Sequence, residues 1–381
     1  MKRSTNEKYA PLFRPLTLPN GTVLGNRLGV TPMTTFAGSP DGVLTDEELA
    51  HYRRRNNIGQ LGITGAVAVS PHGRLADVQF VAYEDEENGP VLAGLTRLAE
   101  TLRARGNKAV LQLQHGGREA HFAEVPYGPS DKHFPWHDRP TTGLSEEGIA
   151  EVVREFGDAT RMALKAGFDG VEIHGANHYL LQQFFSTYSN ERDDAWGGDL
   201  AGRMRFALEV VREVRRVVDE SGRTDFLVGY RISPEEVHGE TVGYTVDEAL
   251  ELVDEVVKAG VDYVHTSLAG GFRATAQGDD HPDPVNQRVR ERIAGRVAFV
   301  VSGEVWTPED AIEALTYGDV VTLGRAALIE PDWSHKLLDG REAEIRRSTG
   351  REQDPDLQVP VRMWEKFLEP NSYLPPLPLA E

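Results

Sequence analysis

The sequence predicts an α/β fold, a (β/α)8 TIM barrel, and three observations carry that expectation. Short runs with strand character alternate with amphipathic helical stretches along most of the chain. One of them, Phe299-Val300-Val301, is apolar at consecutive positions, as parallel strands buried on both faces are. Eight such units in 381 residues suit a closed barrel, which reaches this size with insertions. An open doubly wound sheet would carry its phosphate signature after the first strand, and no Walker or G-x-G-x-x-G pattern stands there. The chain is read as one domain over 1–381, with the barrel over about 9–338 and a C-terminal extension over about 339–381.

The elements follow in order. After the Pro-rich lead-in Pro11 to Gly21, Asn26 to Pro32 reads as the first strand. Thr45-Asp46-Glu47-Glu48 is a capping box that opens a helix carrying Leu49, Tyr52 and Arg53. Ile63 to Val69 is the second strand, Val91 to Arg105 a helix, and Lys108 to Gln114 the third strand, which runs into His115-Gly116-Gly117-Arg118. The segment Glu119 to Ser145 has little periodicity and many Pro, His and aromatic residues. It is expected to be a cap loop over the site, since long irregular loops in compact domains usually serve function. Ile149 to Lys165 shows apolar residues at helical spacing and stops at Gly167.

Strands four to eight are placed at Phe168 to His174, Phe226 to Ile232, Val261 to Thr266, Val297 to Ser302 and Asp319 to Gly324. An internal echo, Lys165-Ala166-Gly167-Phe168-Asp169 and Lys258-Ala259-Gly260-Val261-Asp262, precedes the fourth and sixth. Thr245-x-x-Glu248 and Thr307-Pro308 open two of the later helices. The Pro-rich tail from about Asp354 is expected to lie outside the barrel, either packed across its surface or reaching a second copy in a homo-oligomer.

Composition narrows the function classes. A net charge of −19 argues against nucleic acid, whose binding draws on Lys and Arg neutralising phosphates. Cys 0 removes disulfides, thiolate nucleophiles and cysteine-ligated clusters. No apolar run is long enough for a membrane span, and Met1 to Thr5 is basic but not followed by an apolar segment, so a cytoplasmic protein is expected.

The densest polar segment is Phe168 to Gly198. Period-two geometry puts Glu172 and His174 on one face of the fourth strand, and His174 stands at its carboxyl end, where barrels carry their catalytic groups. His174-x-x-Asn177-x-Tyr179 offers two donors able to grip one oxygen and a phenol able to give up a proton. Ser302-Gly303 after strand seven and Leu323-Gly324-Arg325 after strand eight stand where barrels often hold a phosphate; two ordinary turns with a surface Arg is the plain alternative.

His174-x-x-Asn177-x-Tyr179, followed by Leu180-Leu181, Ser189-Asn190-x-Arg192-x-Asp194 and Trp196-Gly197-Gly198, resembles the old yellow enzyme family of FMN-dependent ene-reductases, over about Tyr9 to Pro331. The resemblance implies bound FMN, NADH or NADPH as hydride donor, and a small-molecule electron-poor alkene as substrate. Hydride would pass from flavin N5 to the β carbon and a proton from Tyr179 to the α carbon, with His174 and Asn177 holding the activating oxygen. It also implies that Pro32, Met33 and Thr34 line the flavin, that Ala66 is the small residue beside the ring, and that Gln112 pairs with the pyrimidine edge. Arg231 would be the cation near N1 and O2, while Ser302, Gly303, Gly324 and Arg325 would bind the phosphate, with Phe36 on the substrate side.

Three departures bear on scope. His178 stands where many relatives have Gly, Thr34 where some have Cys, and Glu119 where some have Lys. The spacing His133-x-x-x-His137-Asp138 is metal-like but lacks a further evident ligand, and no metal is expected. Glu172, if buried, needs a partner, for which Arg231 is one candidate. Two other readings stay open: a flavin-free phosphate-binding barrel enzyme, which would want a Lys or paired carboxylates at strand ends, and a non-catalytic flavin-binding barrel.

Overall fold

The computed structural model describes residues 6–84, 89–369 and 374–380; the basic Met1–Thr5 segment lies outside them. Eight parallel strands form the barrel: β1 Leu28–Val30, β2 Leu61–Ile63, β3 Lys108–Gln114, β4 Gly170–Gly175, β5 Leu227–Ile232, β6 Tyr263–Thr266, β7 Ala298–Ser302 and β8 Val320–Leu323. Each pairs with the next, β8 pairs with β1 through Val321 opposite Leu28, and the cylinder is closed. The principal helices are α1 Asp46–Arg55, α2 Pro90–Arg103, α3 Glu146–Ala166, α4 Leu200–Ser221, α5 Val246–Lys258, α6 Val285–Ile293 and α7 Pro308–Tyr317, followed by the short α8 Arg325–Ile329 and α9 Trp333–Leu338.

Strand alternation sorts the side chains into two cores. Leu111, Val171, Ile173, Val228, Val264, Phe299, Val301 and Val321 point outward and pack under the helices. Leu61, Ile63, Val110, Leu227, Tyr263, Ala298, Val300 and Val320 fill the barrel interior, with Leu18 and Leu24 beside them. The Leu16–Thr17 and Val23–Leu24 hairpin therefore plugs the amino-terminal end of the cylinder. Along β3, β4, β5 and β6 the inward sequence turns polar towards the carboxyl end, ending in Gln112, Glu172 with His174, Arg231 and His265, all buried.

The echo before β4 and β6 now has a physical role. Asp169 accepts from the backbone N–H of Ala109 at 3.0 Å, Asp262 from Val228 at 2.8 Å, and Asp319 does the same for Phe299 at 3.0 Å. Each aspartate at the start of one strand thus satisfies an N–H near the start of the preceding one.

Two expected elements differ. The second strand begins at Leu61 and stops at Ile63, with Val67–Ala68 as a separate piece. It breaks because the Thr64 hydroxyl accepts the Gln112 N–H at 3.0 Å and the Tyr52 hydroxyl accepts the Gly65 N–H at 2.8 Å, replacing ladder bonds with side-chain ones. At α1 only half of the expected capping box forms: Thr45 accepts from the Glu48 N–H at 3.3 Å, but the Glu48 carboxyl turns to the Thr35 hydroxyl instead. Both arms are present at Thr245/Glu248 and at Thr307/Asp310.

The C-terminal extension packs across the barrel surface. Leu357, Val359, Met363, Trp364, Phe367 and Leu377 pack with Phe36, Leu328 and Ile329 into an apolar cluster against α8. The 119–145 loop stands beside the barrel mouth. Trp136 stacks on Tyr188 at 5.9 Å and on His238 at 5.6 Å between ring centroids.

Candidate active site

A cavity of about 860 Å³ opens at the carboxyl ends of the strands. Of the residues singled out from the sequence, Pro32, Met33, Thr34, Ala66, Gln112, His174, Asn177, Tyr179, Arg231, Ser302, Gly303, Gly324 and Arg325 all line it. Phe36 does not: its ring is buried in the apolar cluster with Leu328 and Trp364, below the wall that Met33 and Thr34 form. No residue of the 119–145 loop lines the cavity either, so that loop flanks the site where a cap was expected. The covering segment is the C-terminal Leu374–Pro376 together with Phe367.

At the floor, Gln112 donates to Glu172 Oε1 at 2.7 Å, and His265 Nδ1 stands 3.0 Å from Glu172 Oε2. The partners of Glu172 are therefore an amide and an imidazole, while Arg231 acts on it through space. Burial alone would raise the Glu172 pKa; His265, Arg231 and Gln112 outweigh it and hold the carboxyl below its ordinary value. Burial keeps His265 neutral, so its Nδ1–H donates to an ionised carboxylate. The buried Arg231 is thus balanced by one negative charge.

Arg231 donates to Ser267 Oγ at 3.2 Å, and Ser267 Oγ donates to Asn177 Oδ1 at 2.8 Å. With its oxygen engaged, the Asn177 amide has its two N–H donors left for the cavity. The segment is held open by two consecutive left-handed residues, Asn177 with φ 57° and His178 with φ 63°. A left-handed φ is a conformation that glycine adopts without strain and histidine does not. Here His178 is fixed by Gln182, whose Oε1 accepts its N–H at 2.8 Å. His174 Nδ1 accepts from the Ala176 N–H at 3.3 Å, which assigns the ring proton to Nε2. Burial and the neighbouring Arg231 hold His174 neutral, well below its usual pKa.

The residues present fit a flavin mononucleotide. Arg231 Nε is buried with no hydrogen-bond partner among the described residues, a donor awaiting an acceptor inside the cavity. A Cβ added at Gly324 would meet only ordinary van der Waals contact, with Thr31 at 3.7 Å and Met33 Sδ at 3.8 Å. Gly303 has φ 92°, and a Cβ there would stand 2.9 Å from the Gly271 backbone, so this turn requires glycine. Arg325 is already engaged, donating to the Pro376 carbonyl at 2.8 Å and to the Glu304 carboxylate, with its guanidinium 4.9 Å from the Trp306 ring centroid. Among the described residues no Lys lines the cavity, the group a flavin-free aldolase-type barrel would use.

Sequence reasoning missed Glu304, Trp306, Ser267 and the tail. Glu304 and Trp306 follow the Ser302-Gly303 turn directly, and that was the available signal.

Comparison with known proteins assigns the chain to a family. The family model described as NADH:flavin oxidoreductase / NADH oxidase matches residues 11–344. A probable NADH-dependent flavin oxidoreductase of Bacillus subtilis, YqiG, is 37% identical over 97% of this chain and 99% of its own. The NADH:fumarate oxidoreductase of Klebsiella pneumoniae is 37% identical over 95% of this chain and 39% of its own. The structure of morphinone reductase in complex with tetrahydroNAD superposes with a TM-score of 0.75 at 27% identity, covering 91% of this chain and 93% of that one. FMN as cofactor and NADH or NADPH as electron source go with this membership. The chain belongs to the NADH:flavin oxidoreductase / NADH oxidase family, the old yellow enzymes.

Proposed function

We propose that this oxidoreductase is an ene-reductase that uses NADH or NADPH to reduce the double bond of an electron-poor alkene such as an α,β-unsaturated carbonyl compound. The observation that carries the reading is the convergence of His174, Asn177 and Tyr179 on one cavity whose floor holds Arg231 and Gln112. FMN, when bound, supplies a two-electron relay between nicotinamide and alkene.

The chain supplies the rest. The Nε2–H of a neutral His174 and the amide N–H of Asn177 grip the activating oxygen and stabilise the negative charge that develops on it. Their bond to that oxygen strengthens as the charge grows, so it lowers the barrier more than it tightens binding. Tyr179 gives its phenolic proton to the α carbon as general acid. Arg231 places a buried positive charge where an electron-rich ring system is stabilised. Phe367 and Leu374 line the cavity on the tail side.

The test is anaerobic. Purified protein is mixed with NADH or NADPH and the loss of flavin colour is followed; the bleached protein is then offered an enone, a maleimide, a nitroalkene, fumarate and acrylate. Rapid return of colour with the enone, together with a saturated product, supports the reading. Bleached protein that no alkene reoxidises would refute it and point to electron delivery to another acceptor.

A further inference from the structure

We propose that His178, Glu236 and His238 form a binding site for a divalent transition-metal ion of the zinc type at the mouth of the cavity. His238 Nε2 stands 3.0 Å from Glu236 Oε1 and His178 Nδ1 stands 3.6 Å from Glu236 Oε2. All three ligand atoms lie within 4.8 Å of one another. Ligand atoms around a tetrahedral ion with bonds of about 2.0–2.2 Å are separated by roughly 3.3–3.6 Å, so small rotamer adjustments complete the geometry.

The surroundings are those of a prepared site. Glu236 is buried, and its carboxylate is held by Gln182 Nε2, which donates to Oε2 at 2.7 Å and stands 3.4 Å from His178 Nδ1, and by Ser186 Oγ, which donates to Oε1 at 3.0 Å. Hydrogen bonds that fix a ligating carboxylate are what tune metal ligands. His238 and Glu236 are two positions apart on one strand of the Glu236–Tyr244 hairpin and so share a face. The His238 ring is clamped by Tyr188 at 4.3 Å and Trp136 at 5.6 Å. His178 and Glu236 also line the cavity, which leaves a coordination position facing it.

One charge opposes the site: Arg118, whose guanidinium is 4.0 Å from Glu236 Oε1. That guanidinium is shared with Glu119 at 3.1 Å and with the Ser189 hydroxyl. The same contact weakens a second cluster, Glu119, His121 and His137, because there Arg118 Nε donates straight to the would-be ligand oxygen. A dication is therefore better placed between His178, Glu236 and His238.

The probe is Zn2+ titrated calorimetrically into chelator-treated flavoprotein, with Co2+ absorption as a second readout of tetrahedral geometry. The expected result is one saturable equivalent, weakened about a hundredfold or more in His238→Ala and His178→Gly, weakened about tenfold in Gln182→Ala, and unchanged in His137→Ala. Circular dichroism of each variant checks that it is folded. Absence of a saturable equivalent, binding that survives both histidine substitutions, or binding that is lost in His137→Ala would each overturn the assignment.

Discussion

The imidazole of His174 and the phenol of Tyr179 meet edge to face, with ring centroids 4.8 Å apart and planes at 83°. Each ring limits the other's rotation, so the group that holds the substrate oxygen and the group that delivers the proton are positioned as a unit. Burial and Arg231 keep the imidazole neutral, well below its ordinary value. The alkene half-reaction should therefore show no ionisation of the histidine type between roughly pH 5.5 and 8. Single-turnover rates across that range check this, and an apparent pKa near 6.5 that persists in His178→Gly would show that His174 titrates, since both histidines line the cavity.

Glu48 gives a pH dependence of stability with a definite sign. Its carboxyl is buried beside Thr35, and burial pushes its pKa from 4.5 up to about 8. Between those values the unfolded chain has lost a proton that the folded chain keeps, so stability falls as pH rises through that window. Glu48→Gln should flatten the profile, raising Tm at about pH 9 by an amount equivalent to a few kcal/mol and leaving it nearly unchanged at about pH 5. Thermal melts of both proteins at the two pH values decide it.

Arg231 is a buried cation that lines the cavity and donates to the Ser267 hydroxyl. Arg231→Met should make the bound flavin harder to reduce, shifting its midpoint potential negative by about 30–60 mV, since 30 mV for two electrons corresponds to about 1.4 kcal/mol. A reductive titration against a reference dye measures the shift, and an unchanged potential would remove Arg231 from that role.

Gly303 packs against Gly271 with no room for a side chain. Gly303→Ala combines a left-handed φ with a backbone clash and should cost about 1–3 kcal/mol, moving the turn that faces the phosphate position. The expected readout is FMN affinity lowered about tenfold or more, by fluorescence on dilution, with the barrel still folded by circular dichroism.

Much of this site was legible in the sequence because strand periodicity is local. Once β4 and β5 are strands, Glu172, His174 and Arg231 must face inward, and they do. What the sequence did not show depends on register or on distant segments. The pairing of Glu172 with His265 follows from β6 lying beside β5, with His265 opposite Arg231 and Arg231 opposite His174. Phe36 follows the cavity-lining Met33 and Thr34, but its ring is drawn into the apolar cluster around Trp364, a residue far along the chain. The Arg325 contact to the Pro376 carbonyl spans 51 residues and has no local signal.

The central claim is that Tyr179 donates the proton to the alkene while the same cavity accepts electrons from nicotinamide independently of it. Stopped-flow of Tyr179→Phe in the two half-reactions tests this most directly. The account predicts flavin bleaching by NADH or NADPH at close to the parent rate, and reoxidation by an enone slowed roughly 10²- to 10⁴-fold. Reoxidation at the parent rate would contradict it.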